Sequence, residues 1–164
     1  MISIRPYDPT RDGEPLRALI VEHQDFHRGL EPSWPPGPTI IEAYVQFLEA
    51  QCAAHDGTIL VAEHDATAVG FICAVTSLRN DSPDDPATFA WVHDVFVHPE
   101  HRGRGIGGAL LAAAESFVRS RGARELRLGV LDRNENARAL YRHKGFRDYA
   151  RVMTKPLSSP PGVS

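Results

Sequence analysis

The stretch Trp91-Val92-His93-Asp94-Val95-Phe96-Val97-His98-Pro99-Glu100-His101-Arg102-Gly103-Arg104-Gly105-Ile106-Gly107-Gly108-Ala109-Leu110-Leu111 decides how the rest of the chain is read. Trp91 to Val97 is rich in β-branched and aromatic residues, the composition of a strand. Pro99 stops it, because proline brings no N–H to a ladder. A turn dense in glycine follows, and the apolar run from about Ile106 to Arg121 predicts a helix. Strand, glycine turn and helix start together make an anion cradle. The first N–H groups of a helix have no carbonyl partner, and the helix dipole favours negative charge there. Gly103, Gly105, Gly107 and Gly108 carry no Cβ, so a phosphate can approach the backbone closely. Arg102, Arg104, His98 and His101 add local positive charge. The loop reads as a pyrophosphate site.

Outward from it, the chain alternates between periods of 3.6 and 2. Ile2 to Tyr7 reads as an edge strand closed by Pro6 and Pro9. A helix starting near Asp12 or Glu14 carries Leu16, Leu19, Ile20, His23, Phe26 and Leu30 at helical spacing. Glu31 to Pro38, with four prolines, is a stiff loop. Thr39 is the expected N-cap of a second helix bearing Ile41, Tyr44, Val45, Leu48 and Cys52. Thr58–Glu63 and Ala68–Thr76 flank a short turn and predict a hairpin. An acidic loop, Asn80 to Pro86, leads to the organising strand. Beyond the glycine-started helix, which Gly122 closes, come a strand over Glu125 to Leu131, a helix from about Asn134 to His143 stopped by Gly145, and a last strand near Phe146 to Met153. The fold class is α/β (α+β) with a mixed sheet.

A chain of 164 residues fits one domain with a real core. A net charge of −3 provides no global field for nucleic acid, so a polyanion must be held locally. No apolar run approaches membrane-spanning length. Cys52 and Cys73 show neither metal spacing nor a disulfide framework, which points to reduced core thiols and a cytoplasmic setting.

Two anion readings compete for the loop. Gly103-x-Gly105-x-x-Gly108 has the form of the dinucleotide fingerprint, but too little chain follows it for several βαβ units. The other reading rests on a second motif, Asn134-Glu135-Asn136-Ala137-Arg138-Ala139-Leu140-Tyr141-Arg142-His143-Lys144-Gly145-Phe146, which sets Ala137, Tyr141 and Gly145 at i+4 steps. In these residues the chain closely resembles the GNAT acetyltransferase superfamily. Arg102-x-x-Gly105-x-Gly107 matches the coenzyme A loop pattern of that family, and Asn-x-x-Ala-x-x-x-Tyr-x-x-x-Gly-Phe matches its second signature.

The resemblance implies a GNAT fold: a mixed central sheet of six to seven strands, its fourth and fifth strands splayed, flanked by about four helices. It implies a single domain over 1–157, with 158–164 a disordered tail. It further implies an acetyl-coenzyme A-dependent N-acetyltransferase, with no metal, acting by direct attack of a primary amine in a ternary complex. The acceptor is expected to be a small amine, such as a polyamine or an amino-acid-like molecule. The rivals are a protein N-terminus or lysine, and a non-catalytic acyl-coenzyme A sensor. A homodimer is a family-based expectation. Carried over residue by residue, Val95, Phe96 and Val97 would run along the pantetheine arm. Arg102, Gly103, Arg104, Gly105, Ile106, Gly107 and Gly108 would hold the pyrophosphate through main-chain N–H groups. Asn134 and Ala137 would lie near the arm, and Tyr141 beside the sulfur as general acid.

The base is less determined. An alkylamine with a pKa of about 10.4 is protonated at pH 7, and freeing its lone pair costs roughly 4.6 kcal/mol. A base or water path must stand close. His93 and Asp94 are the candidates; as strand neighbours they face opposite sides unless a bulge intervenes. Relatives often have a glutamate hereabouts, which this chain lacks. Histidine has the better intrinsic pKa for the task, and Asp94 is expected to hold a cationic acceptor or to orient the histidine. His23, His27 and Trp34 are expected to line the acceptor pocket; His23 and His27, one turn apart, also form half a metal site. Glu22, Asp25, Asp81, Asp84 and Asp85 offer charge to a cation.

Overall fold

The computed structural model describes residues 1–79, 83–84 and 87–157. Its elements run β1 (Ile2–Pro6), α1 (Pro9–Leu30), α2 (Gly37–Ala54), β2 (Thr58–His64), β3 (Thr67–Arg79), β4 (Thr88–Val97), a 3₁₀ turn (Pro99–His101), α3 (Ile106–Ser120), β5 (Leu126–Leu128) and α4 (Glu135–His143). The described strands form one five-stranded sheet in the order β1-β2-β3-β4-β5. The first three pairings are antiparallel and β4–β5 is parallel.

Period-2 alternation on β3 sorts the core onto two faces. Ile72 and Ala74 pack with Val92, Leu110, Leu111 and Val118 under α3. Phe71 and Cys73 face the other way, with Phe96, Leu16, Ile20, Val45 and Leu48 under α1 and α2. Val69 to Thr76 is therefore buried throughout, as a strand covered on both faces must be. Cys52 and Cys73 are free thiols whose sulfurs lie 3.7 Å apart.

Several boundaries differ from the sequence expectation. Helix α1 begins at Pro9, because Asp8 caps it by accepting from the Thr10 N–H at 2.9 Å and proline suits the first turn. Helix α2 begins at Gly37, so Thr39 lies inside it and is no cap; its hydroxyl donates to the Pro36 carbonyl instead. Gly37 permits a close crossing, since a Cβ there would stand 2.5 Å from the Val21 carbonyl oxygen.

The sheet has five strands among the described residues, not six to seven. No strand forms over Phe146 to Met153. Phe146 turns in against the α3 core, Asp148 pairs with Arg142 at 3.0 Å, and Val152 and Met153 stay 96% and 88% exposed. Charged Arg147, Asp148 and Arg151 break the alternation, and β5 offers an edge of only three residues. The tail 158–164, and most of the acidic loop including Asp81 and Asp85, lie outside the described residues.

Candidate active site

The expected splay is present. β4 and β5 pair only at Ala90↔Leu126, Trp91↔Arg127 and Val92↔Leu128. Beyond that point β4 continues to Val97 without β5, and Gly129 to Leu131 peel away to form the opposite lip of a cleft of about 870 Å³. The cleft is lined by Val95, Phe96, Val97, Arg102, Gly103, Gly105, Ile106, Gly107, Gly108, Asn134, Ala137 and Tyr141, together with His23, His27, Trp34, His93 and Asp94. Of the residues singled out in the sequence for the cradle, Arg104 and His98 do not line it.

At one end lies the glycine turn. Gly103 and Gly105 have φ of +75° and +78°, a left-handed conformation that explains glycine at both. A Cβ at either would meet no protein atom within 4 Å, so the space above them suits a phosphate. Ala109 N–H bonds back to the Gly105 carbonyl at 3.0 Å. The N–H groups of Ile106, Gly107 and Gly108 precede it and have no helical carbonyl to reach. These features fit a diphosphate.

Arg102 does not simply supply charge. Its Nε donates to the Val97 carbonyl at 2.9 Å, and its guanidinium lies over the rings of Phe26 and Phe96 at 5.2 and 5.4 Å. It staples the loop to the end of β4. A cation near the cradle that the sequence reading missed is Lys144: a Cβ at Gly108 would fall 2.9 Å from its Nζ. The spacing from Tyr141 puts Lys144 at the end of α4, but only the packing of α4 on α3 brings it to the glycines.

At the cleft's centre, the pairing of β3 with β4 slips: Cys73 opposes Asp94 and Ala74 opposes Val92, which leaves His93 as the extra residue of a bulge. The consequence is directional. His93 stacks edge-on against Phe47 of α2 at 5.3 Å, and Asp94 accepts a hydrogen bond from Tyr44 of α2 at 2.5 Å. Both neighbours thus face the α1–α2 side, which a regular strand forbids. Tyr44 was read in the sequence only as a helix-stripe residue. The signal was available, since a hydroxyl on a buried stripe needs a partner.

Asp94 is 9% exposed, and its other oxygen lies 3.3 Å from His23 Nδ1. Burial raises the Asp94 pKa, against the Tyr44 hydrogen bond that lowers it. Burial, then the positive charge of Arg102, lowers His23 to about 4. His23 therefore meets Asp94 as a neutral imidazole and not as an ion-pair partner, because burial disfavours its charged form. His27, 4.3 Å from His23 between ring centroids, is also lowered to about 4, by burial and then by His23. Burial lowers His93 as well, and its buried Nε2 has no hydrogen-bond partner among the described residues. Burial, then Asp94, raises the Tyr141 hydroxyl to about 12. Asn134 accepts from the Ala137 N–H at 3.2 Å and caps α4, which fixes where that helix and Tyr141 enter the cleft.

His23 carries a stability signature. Its folded pKa lies below the unfolded 6.5, so as pH falls the unfolded chain takes up the proton first. Its contribution is whole above pH 6.5 and is lost progressively toward pH 4, at most about 3 kcal/mol. Asp94 acts with the opposite sign and is common to both proteins compared. Denaturant titrations at pH 7.5 and 4.5 are expected to show a loss about 2 kcal/mol smaller in His23→Gln than in the unaltered chain; equal losses would show that His23 is not held neutral.

Among the described residues no group of three or more His, Cys, Asp or Glu side chains can hold a metal ion, and no helix is long and apolar enough to cross a membrane. Glu22 lies 3.5 Å from His98, and Asp25 accepts the Gly37 N–H at 2.7 Å. Neither lines the cleft.

A parallel strand pair opening onto a glycine cradle, with a tyrosine on the facing helix, defines an acyl-group transferase of the GNAT type. The model of the acetyltransferase (GNAT) family matches residues 22–146, and the chain belongs to that family, as an acetyl-transferring enzyme. It is 27% identical over 139 residues to the N-acetyltransferase YhfO of Bacillus subtilis (strain 168), covering 85% of this chain and 86% of that one. It is 30% identical over 122 residues to an aminoglycoside N(6')-acetyltransferase type 1 of Stenotrophomonas maltophilia, covering 73% and 76%. The fold is shared with the aminoglycoside N-acetyltransferase AAC(6')-Iy in complex with the bisubstrate analogue CoA-S-monomethyl-acetylneamine (TM-score 0.71, 23% identity, 97% of this chain and 99% of that one).

Proposed function

We propose that the protein transfers an acetyl group from acetyl-coenzyme A to the primary amine of a small molecule, by direct attack within a ternary complex. The observation that carries this reading is the bulge at His93, which turns two titratable side chains into the cleft that the glycine cradle and Tyr141 share. Acetyl-coenzyme A, when bound, supplies the acetyl group as a thioester. Main-chain N–H groups from Gly103 to Gly108 hold its diphosphate, with Lys144 nearby, and the unpaired edge of β4 from His93 to Val97 lies along its arm. The His93 imidazole, directly or through a water, takes the amine's proton, and Asp94 draws the ammonium form toward the site before that proton leaves. Tyr141 donates a hydrogen bond to the departing sulfur.

Support for a small acceptor comes from the fixed loop on one wall of the cleft. The loop carrying Trp34 is pinned by Gln24 Nε2 to the Pro35 carbonyl at 2.9 Å, by Asp25 to the Gly37 N–H, and by Arg133 to the Leu30 carbonyl at 3.0 Å. The test is thiol release from acetyl-coenzyme A over a panel of small amines, amino acids and peptides. Turnover confined to small amines is expected. Coenzyme A binding without turnover on any acceptor would favour a sensor, and peptide turnover a protein acetyltransferase.

His93→Gln is expected to lower kcat at pH 7 about tenfold, as water takes over less well the proton the imidazole accepted. The sign of the pH dependence follows from the lowered pKa: the unaltered enzyme loses activity on the acid side, below the ordinary histidine range, as His93 gains a proton, and the variant lacks that acid limb. An identical limb in both would take His93 out of the reaction.

A further inference from the structure

We infer that the acceptor is a monoamine with an aromatic or similarly flat apolar body, selected by the Phe26–His27–Trp34 wall. The inference rests on the acetyl-transfer reading and deepens it. Asp94 is the only carboxylate among the described residues lining the cleft. One oxygen accepts from Tyr44 and the other lies beside His23, so the site offers a single buried acidic group already held in place. One ammonium can be satisfied there. A second or third, as a polyamine or aminoglycoside carries, would find no further carboxylate among the described residues lining the cleft, and an unpaired buried charge is strongly disfavoured.

The far wall is built for something else. Phe26 and Trp34 are large apolar side chains left 38% and 37% exposed, and both line the cleft. His27 sits between them, its ring 5.8 Å from Phe26 and 5.5 Å from Trp34. His23 links this strip to Asp94, 4.3 Å from His27 in one direction and 3.3 Å from the carboxylate in the other. Burial keeps both histidines uncharged at neutral pH, while the Arg102 guanidinium, 5.2 Å over Phe26, would repel a second cationic group on the acceptor. A ring resting on Trp34 and His27 gains edge and face contacts, while its one nitrogen points toward Asp94 and His93. The aromatic strip and the single acid end together describe one chemistry.

Initial rates of thiol release from acetyl-coenzyme A separate the possibilities, with phenethylamine, tryptamine, spermidine and kanamycin as acceptors of the full chain. The two arylalkylamines are expected to show kcat/KM at least tenfold above the two polycations. Trp34→Ala should raise the KM for phenethylamine about tenfold and change kcat less, and Trp34→Phe should restore most of the loss. A higher kcat/KM for spermidine or kanamycin, or a KM indifferent to Trp34→Ala, overturns the inference while leaving acetyl transfer intact. Failure of all four amines to react, with coenzyme A still binding, removes the acetyl-transfer reading and this one with it.

Discussion

Gly105→Glu is expected to weaken coenzyme A binding about 100-fold or more, measured as loss of the calorimetric heat of association. Two independent effects act at this position. Gly105 is the N-cap of α3 with φ of +78°, and any side chain in that conformation costs about 1–2 kcal/mol, which the loop can relieve only by turning its N–H groups away. The carboxylate then projects into the open space over the cradle, where the diphosphate belongs. At about 5 Å and an effective dielectric near 20, repulsion between two unit charges is about 3 kcal/mol, which alone is worth roughly 100-fold. Gly105→Ala isolates the first effect, since its methyl meets no protein atom within 4 Å, and it should bind only modestly less well. Unchanged heat in Gly105→Glu would mean that the glycine turn does not hold the diphosphate, and the placement of acid, base and acceptor would fall with it.

That turn was the most legible part of the chain, because its signals are local. Left-handed glycines, a proline stop and a helix start are written within a few residues, and Gly103, Gly105 and Pro99 are where those signals put them. The helix-end glycines Gly122 and Gly145 read out just as directly, with φ of +86° and +91°. The side-chain constellation at the centre was only half legible. His93 and Asp94 stood out as titratable residues on an apolar strand, yet their directions depend on a slip in register against β3, more than fifteen positions earlier in the chain. No local pattern encodes that slip. Tyr44 and Lys144 escaped for the same reason: each matters through a contact that helix packing makes across the chain, α2 onto β4 and α4 onto α3. The expected last strand failed on the opposite ground. Its residues carry β propensity, but propensity without an edge long enough to pair against does not make a strand.

The bulge also bears on how acid and base divide their work. A single residue inserted opposite Cys73 and Ala74 turns His93 and Asp94 to one side, and burial then pulls their pKa values toward each other from opposite directions. On the proposed mechanism the imidazole, held neutral by burial, is the group that accepts the proton. The carboxyl, held at both oxygens, is suited to stay where it is. On the proposed mechanism Tyr44 is a positioning residue, acting on the acceptor through its hydrogen bond to Asp94.

Tyr141→Phe is expected to lower kcat about 30-fold while changing the KM for acetyl-coenzyme A little. The size follows from comparing acids. Burial holds the Tyr141 hydroxyl near 12, whereas a coenzyme thiol ionises at about 8.5 by analogy with cysteine. Complete proton transfer from tyrosine to thiolate would run uphill by more than three units, about 5 kcal/mol. On the proposed mechanism the side chain acts by donating a hydrogen bond to the sulfur as it gains charge, and the thiol's proton comes in the end from the amine. A hydrogen bond to a charged group is worth about 1.5–3 kcal/mol, or roughly 10- to 150-fold in rate. The raised pKa also keeps the donor protonated, so this group puts no alkaline limb on kcat below about pH 10. Phenylalanine preserves the ring, which packs 5.8 Å from Phe146 and against the α3 core, so thermal unfolding should move little. Steady-state kinetics of the variant beside its melting curve decide the matter: a fall in kcat with an unchanged melting point assigns the loss to the hydroxyl, and an unchanged kcat removes Tyr141 from the reaction.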